Sequence, residues 1–79
     1  MIDATEVHVL RYLAGVPDAC AGELAEAVHR SVPCVGMALL RLNRNGLIAR
    51  TFDPREGRHF YSITPKGTQR LRYWSEDQS

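Results

Sequence analysis

The sequence predicts an α+β domain of three helices, a β-hairpin and a short last helix. Three observations carry that expectation. Apolar residues recur at helical spacing in three segments before residue 46. Helix punctuation separates those segments: Gly15 with Pro17, then Arg30-Ser31, then Gly46. Beyond them, two β-type runs flank Asp53-Pro54-Arg55-Glu56-Gly57, an order of residues that favours a tight turn.

The first helix is expected to begin at Asp3. Asp3 and Glu6 stand in capping-box spacing, with a carboxylate in place of the usual hydroxyl. Val7, Leu10 and Leu13, with Val9 beside them, form its apolar stripe. The second helix covers about Ala21 to His29. Leu24 and Val28 lie four apart, and Glu23 and Glu26 sit early, where the helix dipole favours acids. The third helix takes Ser31 as its N-cap and Pro33 in its first turn, where a missing N–H costs no hydrogen bond. A helical wheel centred on Val35 adds Leu39, Leu42, Ala38 and Val32 to the core arc. Gly46 supplies the stop. The strands are Leu47 to Phe52 and Arg58 to Thr64, with Gly57 able to take positive φ at the turn. Thr64-Pro65 then caps a helix running to about Trp74.

At 79 residues the sequence is expected to be a single domain, 1–79, which buries about 60% of the surface its unfolded chain exposes. A hydrophobic fraction of 44% is ordinary for a globular protein. The longest apolar run falls far short of the roughly 20 residues of a membrane span, and no basic segment leads a hydrophobic run at the N-terminus. The expectation is a soluble cytoplasmic protein without a membrane partner. Cys20, Cys34, His8, His29 and His59 show no CxxC or HxxxH spacing, so neither metal nor cofactor is implied, and the thiols read as small buried or half-buried groups. An enzyme has little support: there is no GxSxG, no Gly-rich phosphate loop, no HExxH and no convincing pair of carboxylates.

The formal net charge is only +1, but its distribution is uneven. Residues 1–30 carry five acids against two bases, a net of −3. Residues 31–72 carry eight bases against two acids, a net of +6, and residues 73–79 add −2, which restores the total of +1. A basic block inside an otherwise acidic chain is the footprint of a nucleic-acid surface, and equally of a solvated face with scattered arginines.

Helix, helix, short turn, helix, hairpin is the layout of a winged helix-turn-helix. The sequence resembles transcription regulators of that type, especially the PadR-like and MarR-like families. In "LRLNRNGLIART", Leu39, Leu42, Gly46, Leu47 and Ile48 are similar to the end of their recognition helix running into the wing. In "GRHFYSITPKGTQRL", Gly57, Arg58, Tyr61, Ile63, Thr64, Gly67 and Leu71 match their second wing strand and following helix, and "GELAEAV" resembles their second helix. The resemblance implies double-stranded DNA as the partner, the third helix in the major groove, and a role in transcriptional control as a small repressor. Members of those families usually carry a further long dimerisation helix. With 79 residues, neither that helix nor a ligand-sensing domain is expected from this sequence.

On the third helix the arc opposite the core holds Pro33, Met37, Leu40 and Arg44, with Arg41 at its edge and Gly36 allowing close approach. Bidentate base readers are sparse there. Arg41 and Arg44 lie near the C-terminal end, where phosphate contact is more natural than base reading. Met37 and Leu40 suit thymine methyls, or else a protein interface. Arg50, Arg55 and Arg58 flank the hairpin tip and suit the DNA backbone or a narrow minor groove. Ser31 is a cap that can also donate to a phosphate. Pairing to read two half-sites is expected through the first and last helices, with Leu10, Tyr12, Tyr73 and Trp74 as candidates; Trp74 suits either the core or that contact. The alternative to DNA binding is a protein-interaction module that uses the apolar face of the third helix.

Overall fold

The computed structural model describes residues 4–77. Asp3, the expected first cap, lies outside them. The element order is α1 (Ala4–Gly15), α2 (Ala21–Val28), α3 (Val32–Arg44), β1 (Ile48–Asp53), β2 (Arg58–Ile63) and α4 (Pro65–Asp77). This is the α+β winged helix-turn-helix layout.

Helix α1 is the hub, touching α2, α3, α4 and β2. Its stripe of Val7, Val9, Leu10 and Leu13 is buried, and Leu24, Val35, Leu39, Leu42, Leu47, Ile48 and Trp74 close the core around it. Val32, expected in that core, is instead 53% exposed. It follows the N-cap directly, so the first turn of α3 projects beyond the layer that covers Val35 and Leu39.

The boundaries of α3 follow from its caps. Ser31 Oγ accepts from the Cys34 N–H at 3.3 Å. At the other end Gly46 adopts φ 74°, its N–H donates to the Asn43 carbonyl, and the Leu47 N–H donates to the Leu42 carbonyl at 2.9 Å. That pair of bonds is a Schellman motif, with buried Leu47 and Leu42 as its apolar contact. Helix α2 ends the same way without a glycine: His29 takes φ 57° and ψ 47°, and the Arg30 N–H reaches the Ala25 carbonyl at 3.0 Å. A left-handed non-glycine residue costs about 1–2 kcal/mol.

The strands pair antiparallel from Ile48↔Ile63 to Asp53↔Arg58. Asp53 makes the tip: its Oδ1 accepts from the Arg55 N–H at 2.9 Å, and its carbonyl accepts from the Gly57 N–H at 2.8 Å, with Gly57 at φ 66°. Ala19, ahead of α2, exchanges two backbone hydrogen bonds with Tyr61, adding a one-residue third rung to the sheet. Thr64 Oγ1 accepts from the Gly67 N–H at 3.0 Å and donates to the Gly46 carbonyl at 2.7 Å. One side chain thus starts α4 and ties it to the end of α3.

Candidate nucleic-acid interface

The outer face of α3 is exposed and mostly apolar. Met37 is 53% exposed and Leu40 49%, with Pro33 and Gly36 exposed beside them and Arg44 at the C-terminal end. Val32, on the core side of the wheel, is exposed as well because it stands in the first turn. One flank of α3 runs into the wing. Gly36, Leu39, Leu40 and Asn43 line a shallow cleft of about 90 Å³ together with Arg50 and Tyr61, a cross-strand pair. Asn43 fixes the angle between helix and wing, because its Nδ2 donates to the Ile48 carbonyl at 3.1 Å. The sequence assigned Asn43 no role, since a side chain that bonds backbone five residues on leaves no pattern to read.

The other flank faces α1. Arg41, expected at the edge of the outer face, donates from Nε to Glu6 Oε1 at 2.6 Å. The Glu6 side chain is 14% exposed and that of Arg41 43%. Arg41 is therefore tied to α1 rather than directed outward alone.

On the wing, Arg50, Arg55 and Arg58 are all exposed. Arg58 points back toward the start of α2: its Nη1 lies 3.6 Å from Cys20 Sγ, and its Nη2 3.4 Å from Glu56 Oε1. The Glu23 backbone N–H, and after it Arg58, hold the Cys20 thiol below its ordinary pKa, against the opposing effect of burial. Arg55 sits at the tip itself. Phe52, 53% exposed, meets His59 edge-on with ring centroids 5.2 Å apart. Lys66 lies over the Gly46 turn, where a cation favours the C-terminal end of α3.

The four residues expected at a dimer contact separate. Leu10 is fully buried and Trp74 is 8% exposed, both within the core, because α1 is enclosed by its own domain. Neither presents a side chain to a second copy. Tyr12 is half-buried and donates its hydroxyl to Glu23 at 3.0 Å, a bond that raises its pKa. Tyr73 is 64% exposed. Among the described residues no helix is long and apolar enough to cross a membrane.

A family model described as MarR family matches residues 2–60 of the chain. The crystal structure of an S. aureus MepR–DNA complex is 26% identical with a TM-score of 0.84, covering 95% of this chain and 63% of that one. The structure of a MarR family transcription regulator is 26% identical with a TM-score of 0.86, covering 98% of this chain and 52% of that one. The PcaV transcriptional regulator from Streptomyces coelicolor, in complex with its natural ligand, is 25% identical with a TM-score of 0.85, covering 90% of this chain and 51% of that one. The chain thus spans between 51% and 63% of the length of these three. No curated protein matches it.

Proposed function

The chain belongs to the MarR family, and on that premise we propose that it binds double-stranded DNA in transcriptional control, as a small cytoplasmic repressor. The observation that carries this reading is the continuity of α3 with the wing. An exposed face of Met37 and Leu40 opens directly onto a cleft containing Arg50, with Arg55 and Arg58 further out on the same hairpin. In this reading α3 enters the major groove and meets thymine methyls through Met37 and Leu40. Arg44, Arg50, Arg55 and Arg58 contact phosphates, which position the protein without specifying a sequence. Ser31 contributes at the start of α3 through its hydroxyl and the positive end of the helix dipole. The likeness to a regulator solved on DNA supports the same docking. Two protomers pair to read two half-sites, and Tyr73 is the exposed candidate for that contact, with Tyr12 beside α2.

The test is duplex affinity as a function of salt. Six to eight phosphates neutralised by a dimer give a slope of log K against log salt of about −5 to −7. Replacing Arg55 and Arg58 together by Ala flattens the slope and weakens specific and random DNA alike. An unchanged slope removes the wing from the interface.

A further inference from the structure

We infer that Glu6 sets the strength of sequence-independent DNA binding by withholding Arg41 from phosphate. This rests on the DNA reading of α3 and identifies a residue outside the groove-facing surface that tunes it. Three features carry it. The Nε–Oε1 bond is short, at 2.6 Å, and bridges α1 to α3 across 35 residues of sequence, so it is part of how the two helices pack. Its exposure is asymmetric: the carboxylate is mostly covered at 14%, whereas the guanidinium lies nearer the surface at 43%. Glu6 is thus the fixed partner and Arg41 the one placed at the rim. Finally, Arg41 follows Met37 by four residues, one helical turn along the exposed face, and precedes Arg44 by three. A cation there borders the surface that meets DNA.

An arginine matched by a carboxylate held within the packing, unlike the exposed Glu56 beside Arg58, displaces few counterions when a phosphate approaches. To contact DNA it must either leave Glu6, stranding a largely covered negative charge, or bring that charge toward the phosphates with it. Both oppose binding, on any sequence. The same α1–α3 pair holds the helix in place, so the protein gains packing from a residue that would otherwise add to background affinity for DNA. That matters for a helix whose outer face offers few hydrogen-bonding base readers, because its discrimination rests on fit while phosphate contacts strengthen every site equally.

Glu6→Gln keeps the shape of the side chain and removes the charge. Binding of parent and variant to a random-sequence 25-base-pair duplex, measured by fluorescence anisotropy across a salt series, is expected to differ. One added phosphate contact per protomer, two per dimer, steepens the slope by about 1.8 and raises affinity roughly thirty- to a hundredfold at 0.1 M salt. Glu6→Gln combined with Arg41→Gln returns to the parent slope, and Arg41→Gln alone leaves that slope unchanged. Circular dichroism establishes that each variant is folded, and the Arg41→Gln measurement stands if Glu6→Gln does not fold. Unchanged or weaker binding by folded Glu6→Gln, or a slope flattened by about 1.8 in Arg41→Gln, overturns the inference: Arg41 is then a phosphate contact that Glu6 aims. A parent with no duplex affinity overturns the DNA reading and this inference with it, an outcome distinct from a parent that binds and variants that do not differ.

Discussion

Gly67→Ala sets helix propensity against close packing, and the structure decides the sign. Gly67 lies in the first turn of α4, which rests on the chain leaving α3. A Cβ at this position would overlap the Leu47 carbonyl oxygen and come within 2.9 Å of Ile63 Cγ1. The first obstacle is backbone, and its oxygen already accepts from the Thr64 N–H at 3.1 Å. Propensity alone favours Ala over Gly inside a helix by about 1 kcal/mol. Relief of the overlap requires the start of α4 to move outward. That forfeits the Thr64–Leu47 bond, about 1 kcal/mol. It also loosens Ile63, Leu71 and Trp74 against the core, at the roughly 1–3 kcal/mol typical of overpacking. The net loss is about 2 kcal/mol, a fall in Tm of roughly 8–16 °C for a chain of this size. Gly22→Ala is the control, since a Cβ there meets nothing within 4 Å. It is expected to raise Tm by a few degrees. Thermal melts followed by circular dichroism read both. A Gly67→Ala protein that melts at or above the parent means that the Leu47 carbonyl does not crowd this position.

Three further outcomes follow from individual side chains. His29→Gly relieves the left-handed conformation at the end of α2 and is expected to stabilise by about 0.5–1 kcal/mol after the entropy of glycine in the unfolded chain is subtracted; a urea midpoint at or below the parent's contradicts this. Gly36→Ala adds a methyl on the exposed flank of α3 without a clash, so Tm rises while duplex affinity falls; unchanged affinity removes Gly36 from the DNA surface. Cys20 alkylation, followed against pH by mass spectrometry, has its midpoint below that of the same thiol in the urea-unfolded chain. Because the folded pKa is the lower one, the associated stability is present above the unfolded pKa and is lost as pH falls through the folded value. A midpoint at or above that of the unfolded chain contradicts the contact with the Glu23 N–H and Arg58.

Much of this fold is written in local chemistry, and those parts were legible. Ser31 with Pro33 and Gly46 bounded α3 because caps act within a turn of the helix end. Asp53 and Gly57 formed the wing turn because an Asx side chain and a positive-φ glycine define it locally. The MarR-like resemblance agreed with the family that residues 2–60 match. The misreadings arose where distant contacts decide. A wheel placed Val32 in the core, since a wheel has no knowledge of where the covering layer stops. The amphipathic pattern of α1 leaves Leu10 open to a dimer contact, but α1 is enclosed on several sides and consumes it; of the two places open to Trp74, it takes the core. Arg41 pairs with Glu6 across 35 residues, and Ala19 joins Tyr61 across 42. His29 ends α2 in a conformation for which the sequence carries no glycine signal.

Entry of the apolar α3 face into the major groove is read from the affinity of Met37→Glu for duplex DNA. Met37 is 53% exposed, so the variant is expected to fold with the parent's circular dichroism spectrum and a similar Tm. A carboxylate at the centre of the outer face repels phosphate and cannot meet a thymine methyl, so specific binding is expected to be lost. Thymine-to-uracil replacement in a selected binding site, which removes only the methyl, is expected to weaken the parent in the same assay. A folded Met37→Glu protein that binds duplex DNA as tightly as the parent contradicts the groove model and leaves the exposed face of α3 as a surface for protein.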